Sequence, residues 1–93
     1  MDSNFSGKPG KRGSEQGHTE NISVLVLHND DVNTFEYVME TLEEVCLHTE
    51  HQAEQCAMIT HYKGKCEVLQ GGVSELKMAR KKLVARGLSA TIE

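Results

Sequence analysis

The sequence feature that most constrains the fold is an apolar run that breaks abruptly into four polar residues. The run covers residues 24–27 (VLVL), and His28, Asn29, Asp30 and Asp31 follow it directly. Consecutive branched apolar residues are typical of a buried strand. The four polar residues cannot continue that strand, because unpaired polar groups are costly to bury. The sequence therefore predicts a strand whose end presents an amide and two carboxylates on a short anchored loop, which suits a cation such as an amine or a metal.

Length and composition indicate one small domain with a modest core. The chain has 93 residues and 38% hydrophobic content, and its net charge of −4 argues against a nucleic-acid partner. Its three scattered cysteines do not make a disulfide framework, which fits a reducing cytoplasm. The sequence shows no secretory h-region and no apolar run long enough to span a membrane.

The composition of the chain changes near residue 20. Residues 1–20 contain the only proline, Pro9, and one large apolar residue beyond Met1, which is Phe5. Such a stretch cannot bury enough apolar surface to offset the entropy lost on ordering. We therefore expect a disordered N-terminal tail at 1–20 and a folded domain at 21–93.

Apolar spacing in the domain predicts two consecutive helices after the first strand. The first begins near Asn33, which with Glu36 resembles a capping box. The second follows Thr49, which has Gln52 three residues later, and it ends near Tyr62 before a glycine. Its small residues allow close approach of a neighbouring element.

The rest of the domain predicts a strand, a helix and a strand. A short strand covers 66–69, a turn lies at Gly71-Gly72, a basic helix runs to about Arg86, and a terminal strand covers 88–92. The order β-α-α-β-α-β predicts an α+β sandwich, in which a three-stranded antiparallel sheet packs against three helices. We expect the strands at 22–28 and 88–92 to belong to one sheet.

Residue types alone leave the chemistry of the domain open. The Asn29-Asp30-Asp31 stretch also fits simple turn chemistry, and His61 fits a partly buried histidine or a helix cap. A zinc site is disfavoured because no pair of candidate ligands has C-x-x-C spacing, and nothing marks a cysteine as an activated nucleophile. The zinc candidates considered are Cys46, His48, His51, Cys56, His61 and Cys66. No metal or other cofactor is therefore predicted.

Three motifs together resemble the ClpS adaptors of the bacterial Clp protease. They are LHNDD at 27–31, FEYV at 35–38 and HYKGK at 61–65. The family typically has a strand ending in N-D-D, a helix opening M-E-F-V, and V-H-x-x-G-K about thirty residues after the N-D-D. The resemblance covers roughly residues 22–93 and includes ELK at 75–77, similar to the family's E-T-K. Its specificity lies in the joint order and spacing of the motifs.

The resemblance implies recognition without catalysis. ClpS adaptors bind substrates with N-terminal Leu, Phe, Tyr or Trp and hand them to a Clp unfoldase. Here Asn29 and Asp30 would accept hydrogen bonds from the substrate α-ammonium, and His61 would complete that polar end. Phe35 would border the side-chain pocket, with Ala57, Thr60 and Leu88 as its walls. The full substrate-binding set expected is Asn29, Asp30, Asp31, Asn33, Phe35, Ala57, Thr60, His61 and Leu88.

The resemblance also implies a docking partner and shows departures from the family pattern. Glu75 and Lys77 are the candidate contacts to the N-terminal domain of a ClpA- or ClpC-type unfoldase, and the N-terminal tail would assist delivery. Between His61 and Lys77 this chain is shorter than typical members, with glycines where polar and acidic residues are usual. Thr60 makes the pocket wall more polar than usual. The alternative is a domain similar to the ribosomal stalk protein's C-terminal domain, which docks translation factors and binds no amino terminus.

Overall fold

The chain folds in the predicted order β-α-α-β-α-β. A computed structural model describes residues 22–93, and the predicted tail at 1–20 lies outside the described residues. The elements are β1 Ser23–His28, α1 Phe35–Val45, α2 Glu50–Lys63, β2 Lys65–Gly71, α3 Val73–Ala85 and β3 Ser89–Ile92. None of the helices in residues 22–93 is long and apolar enough to cross a membrane.

The three strands form one antiparallel sheet in the order β2-β1-β3. Within it, Leu25 lies opposite Ile92 and Leu27 lies opposite Ala90, so the first and last strands share a sheet as predicted. The apolar run of the sequence forms β1, the central strand. This strand has a neighbouring strand on each side and helices on one face, so it lies in the most buried part of the sheet.

The core lies between the sheet and the helices. Leu25 and Leu27 of the central strand, Leu42 of α1 and Leu83 of α3 are all at most 1% exposed. Each helix contributes its apolar stripe to this layer, which explains the 3.6-residue spacing seen in the sequence. The buried cluster consists of Leu25, Leu27, Leu42, Cys46, Ala53, Val68, Leu76, Leu83, Leu88 and Ala90.

The first strand includes His28, the first of the four polar residues that follow the apolar run. His28 belongs to β1 and pairs with Lys65 on one side and Ser89 on the other. Its ring Nε2 lies 2.7 Å from the hydroxyl oxygen of Thr91 on the neighbouring strand. The prediction that His28 could not continue the strand was wrong, because its half-buried side chain finds a polar partner on the sheet.

Two helix starts also differ from the prediction. Thr34 caps α1 instead of Asn33, because its hydroxyl accepts a 3.0 Å hydrogen bond from the Tyr37 amide. The side chain of Asn33 instead donates hydrogen bonds to the Asp30 carboxylate and to the carbonyl oxygen of Gly87. The predicted turn at the glycine pair is also wrong: Gly71 belongs to β2 and Gly72 is the N-cap residue of α3.

The caps of α2 are the ones that the sequence predicts. Thr49 and Gln52 form a reciprocal capping box, with hydrogen bonds of 3.1 Å and 2.9 Å between side chains and backbone amides. Gly64 ends the helix in the left-handed region at φ 94°, where a side chain would be strained. These caps fix the position at which the last turn of α2 meets the sheet.

We expect Thr49→Ala to lower the free energy of unfolding by about 1 kcal/mol, because it removes the hydroxyl that caps α2. Thr49→Ser is the matched control, since it keeps the hydroxyl and should behave nearly as the wild type. Urea unfolding followed by far-ultraviolet circular dichroism measures both. An equal loss in the two variants would show that the hydroxyl is not the stabilising group.

Side chains from outside the sheet bond to backbone carbonyls of both outer strands. His48 Nε2 lies 2.7 Å from the carbonyl oxygen of Val68 in β2. Arg80 Nε donates a 2.8 Å hydrogen bond to the carbonyl oxygen of Ala90 in β3. Each outer strand of the described sheet thus has at least one carbonyl occupied by a neighbouring side chain.

Candidate functional site

The loop between β1 and α1 is organised around the Asp30 carboxylate. Oδ1 accepts 2.8 Å hydrogen bonds from the amides of Val32 and Asn33, and Oδ2 accepts a 2.9 Å bond from Asn33 Nδ2. An ionised carboxylate has about four acceptor positions, so one remains free after these three bonds. The loop is therefore rigid and still able to accept a hydrogen bond from a ligand.

A second set of contacts ties this loop to the segment between α3 and β3. Asn33 Nδ2 also donates to the carbonyl oxygen of Gly87 at 2.9 Å, and the Tyr37 hydroxyl donates to the carbonyl oxygen of Arg86 at 2.7 Å. Gly87 adopts φ 88°, which favours glycine and turns the chain toward β3. The acidic loop and the start of α1 are therefore bonded to the segment that connects α3 to β3.

The hydrogen bonds around Asp30 favour its ionised form. Burial opposes ionisation, but hydrogen bonds from the backbone and side chain of Asn33 and from the backbone of Val32 lower the pKa of Asp30 below 3.8. The carboxylate is thus charged throughout the neutral range. It provides a fixed negative charge at the strand end.

We expect the Asp30 carboxylate to stabilise the fold above about pH 4 and to stop doing so in more acidic solution. Its pKa is lowered in the folded state, so its contribution is present above the unfolded-state value of 3.8 and is lost as the pH falls through the folded value. Urea unfolding from about pH 5 to about pH 2 should show a smaller decrease for Asp30→Ala than for the wild type. Identical pH dependence would contradict this role.

The C-terminal half of α2 lies across from the acidic loop. Ala57 and Thr60 are each 4% exposed, and the Thr60 hydroxyl donates a 2.8 Å bond to the carbonyl oxygen of Cys56 within the helix. His61 is exposed in the last turn, and its ring makes an edge contact with Tyr62 at 4.9 Å between centroids. This half of α2 therefore combines buried small residues with exposed rings.

An open pocket of about 580 Å³ lies between the acidic loop, α1 and α2. Its lining contains two carboxylates and a histidine, and no lysine or arginine of the described chain takes part. Polar groups come from the loop and apolar groups come from the two helices. The lining residues are Asn29, Asp30, Asp31, Asn33, Phe35, Val38, Ala57, Met58, Thr60, His61 and Tyr62.

The structure brings eight of the nine predicted substrate-binding residues to this pocket. Leu88 is the ninth; it is buried and lines a small adjoining cavity together with Asn29, Asp30 and Thr60. The predicted docking residues Glu75 and Lys77 are both exposed on α3 and line neither cavity. That the pocket residues bind a substrate stays a prediction at this point.

Sequence reasoning missed three residues that line the pocket. Val38 lies on α1, Met58 and Tyr62 lie on α2, and none of the three belongs to the predicted substrate-binding set. Met58 and Tyr62 are 40% and 77% exposed, so these two side chains form part of the rim. Exposed apolar residues next to a polar loop are the signal that could have identified them.

Metal-binding geometry is not found among residues 22–93. No group of three or more histidine, cysteine or acidic side chains in that range is arranged to hold a metal ion.

The family model for the ATP-dependent Clp protease adaptor protein ClpS matches residues 19–91. The chain belongs to the ClpS family. The matched region contains all residues that line the pocket and all of the described sheet except Ile92, the last residue of β3.

Curated ClpS adaptors from several bacteria are similar to part of this chain. The Clp protease adapter ClpS of Edwardsiella ictaluri is 37% identical over 57 residues, which are 59% of this chain and 54% of that protein. The ClpS of Shewanella pealeana is 33% identical over 64 residues, covering 67% of this chain and 63% of the relative. The matched part is thus a little over half the length of these relatives.

A solved ClpS structure has the same fold. Agrobacterium tumefaciens ClpS2, bound to L-phenylalaninamide, superposes with a TM-score of 0.77 at 22% identity, over 81% of this chain and 98% of that chain. This likeness confirms the α+β architecture.

Proposed function

We propose that this protein is an adaptor that binds the free α-amine and bulky hydrophobic first residue of substrate proteins. It delivers them to a Clp AAA+ unfoldase and performs no catalysis itself. The observation that carries the proposal is the pocket itself, in which carboxylates from the β1–α1 loop face an apolar wall from α1 and α2. A polypeptide whose first residue is apolar has the complementary pair of features at its amino terminus.

The polar end of the pocket suits an α-ammonium group. An ammonium has three donors and forms strong charge-assisted hydrogen bonds with carboxylates. Asp30 has one unused acceptor position, and Asn29, whose side chain carries an amide oxygen, lines the same pocket. His61 faces the same space from α2, and the lining supplies no cationic lysine or arginine that would repel the amine.

The apolar end suits one large side chain. Phe35 and Val38 of α1 face Ala57 and Met58 of α2 across the pocket. Burying a leucine or aromatic side chain there contributes about 1.5–3 kcal/mol. The requirement for both an amine and a large side chain gives selectivity, because a ligand lacking either leaves one end unpaired.

The ligand of the A. tumefaciens protein supports this assignment. L-phenylalaninamide carries a free α-amine, a phenyl side chain and an amide where the next peptide bond would follow, so it resembles an N-terminal phenylalanine. We propose the same class of substrate here, with N-terminal Leu, Phe, Tyr or Trp. The convergence of Asn29, Asp30 and His61 on one pocket favours this function over that of a stalk-like docking domain.

Delivery requires a second surface, which we place on α3. Glu75 and Lys77 are exposed near the start of that helix and are separate from the pocket. We propose that they contact the N-terminal domain of a ClpA- or ClpC-type unfoldase. A substrate and the unfoldase could then bind at the same time.

A titration with peptides that differ only in their first residue tests the proposed function. Each peptide carries a dye at its C-terminal end, and fluorescence anisotropy reports binding. Peptides beginning with Phe, Leu, Tyr or Trp should bind at least about tenfold more tightly than one beginning with Ala, because the side chain supplies about 1.5–3 kcal/mol. Equal affinities across the series would exclude recognition of the first residue.

A further inference from the structure

Cys56 and Cys66 bring two thiols together where α2 packs on β2. Both are free, and their sulfurs approach the same backbone oxygen: Cys66 Sγ donates to the Glu67 carbonyl at 3.4 Å, and Cys56 Sγ does so at 4.0 Å. Burial, followed by a hydrogen bond with Cys56, raises the pKa of Cys66 to about 12. Both sulfurs therefore lie within 4.0 Å of one oxygen atom.

The third thiol, Cys46, lies nearby but is less suitably placed. It is 6% exposed in the main core, and burial, followed by the charge of Cys56, raises its pKa to about 11. It shares no hydrogen-bond acceptor with Cys56. Cys56 is the most accessible of the three, since it is half-buried while the other two are buried.

The position of the thiol pair connects it to the pocket. The chain between the two cysteines is residues 57–65, which complete α2 and turn into β2. A covalent link between Cys56 and Cys66 would close this segment into a loop. Five pocket-lining residues lie within it: Ala57, Met58, Thr60, His61 and Tyr62.

We propose that Cys56 and Cys66 form a reversible disulfide by exchange with a small-molecule disulfide such as oxidised glutathione, and that this bond weakens ligand binding at the pocket. Disulfides in reducing compartments are usually transient and redox-sensing. The existence of the bond does not depend on the proposed function, whereas its effect on ligand binding does.

The exchange proceeds in two balanced steps. The Cys56 thiolate attacks one sulfur of the small disulfide, whose S–S bond breaks and releases one small thiolate, leaving a mixed disulfide on Cys56. Cys66 then loses its proton, its thiolate attacks the Cys56 sulfur, and the second small thiolate leaves. Two protein thiols are oxidised and one small disulfide is reduced to two thiols.

Bond formation should move the pocket wall. A disulfide holds its sulfurs about 2.05 Å apart, much closer than two thiols in contact. The Cys56 turn of α2 would therefore shift toward β2. Ala57 and Thr60 lie on the same part of α2, so their positions relative to Phe35 and Val38 across the pocket would change.

Mass spectrometry after exchange with oxidised glutathione tests the chemistry. At about pH 9, where thiols are more reactive, the full chain should lose two hydrogens, and peptide mapping should show Cys56 linked to Cys66. Cys66→Ser should stop at one glutathione on Cys56, and Cys46→Ser should form the disulfide as the wild type does. A link from Cys56 to Cys46, or no intramolecular link, would overturn the proposal.

Peptide binding tests the link to the pocket. The oxidised wild type should bind a Phe-initiated peptide at least about threefold more weakly than the reduced protein, and a reducing agent should restore binding. Cys56→Ser should show no dependence on redox state. Unchanged affinity after oxidation would overturn the effect on the pocket. Absence of binding in both states would instead count against the proposed function and leave the disulfide assignment intact.

Discussion

Asp30→Ala should weaken binding of a Phe-initiated peptide about tenfold to a hundredfold. A hydrogen bond to a charged group contributes about 1.5–3 kcal/mol, and about 1.4 kcal/mol corresponds to a factor of ten. The substitution also removes the acceptor of three hydrogen bonds within the β1–α1 loop. A simple loss of affinity therefore does not distinguish a lost ligand contact from a disturbed loop.

Acetylation of the peptide's amino terminus separates these two causes. It removes the charge of the amine, so acetylated peptide should bind wild-type protein at least as weakly as free peptide binds Asp30→Ala. If the carboxylate meets the amine, Asp30→Ala adds little further loss with the acetylated peptide, because both changes delete one interaction. Additive losses would mean that Asp30 acts through the loop and does not contact the amine.

Asp31→Ala provides a matched control for charge. Asp31 is the exposed neighbour of Asp30 on the same loop and lines the same pocket. The variant removes an equal charge but leaves the three loop hydrogen bonds of Asp30 in place. Its loss of affinity should be smaller, and a loss equal to that of Asp30→Ala would indicate attraction by net charge alone.

Leu83→Ala should lower the free energy of unfolding by about 2–5 kcal/mol, because it creates a cavity in the core. Leu83 is 0% exposed and packs between α3 and the sheet. The loss is a large share of the stability of a domain this small. Urea unfolding followed by circular dichroism is the appropriate measurement, since the chain has no tryptophan.

Met78→Ala is the control for this substitution. It shortens an apolar side chain on the same helix, but Met78 is 65% exposed. Its effect should stay within about 0.5 kcal/mol, as for most surface substitutions. Alanine is the best helix former, so helix propensity would not lower the stability of either variant. Similar losses in the two variants would contradict the assignment of the Leu83 effect to core packing.

The order and type of the elements follow from local sequence patterns. The apolar run of β1 and the Thr49-Gln52 pair are signals within a few residues, and the structure confirms both. The start of α1 was not predictable in this way, because Asn33 and Thr34 are both good N-cap residues. The choice depends on the bond from Asn33 to the Gly87 carbonyl, which lies 54 positions later in the chain.

The sequence predicted which residues line the pocket better than it predicted the shape of the pocket. The resemblance to ClpS predicted that the acidic loop and the end of α2 lie close together, and residues of both line the pocket. The positions of Met58 and Tyr62 at the pocket could not be predicted, because the exposure of these side chains depends on the distance between α1 and α2. The same packing puts Leu88 in the adjoining cavity instead of the main one.

The side chains that bond to the outer strands disfavour one way in which a polypeptide could attach to this domain. Many peptide-binding domains add their ligand as an extra strand along a free sheet edge. Here His48 and Arg80 occupy a carbonyl on each outer strand and interrupt the row of acceptors that such pairing requires. In the proposed function, a substrate held at its amino terminus would therefore not be expected to pair along either sheet edge. An unfoldase could then pull on the rest of that chain without first separating it from the sheet.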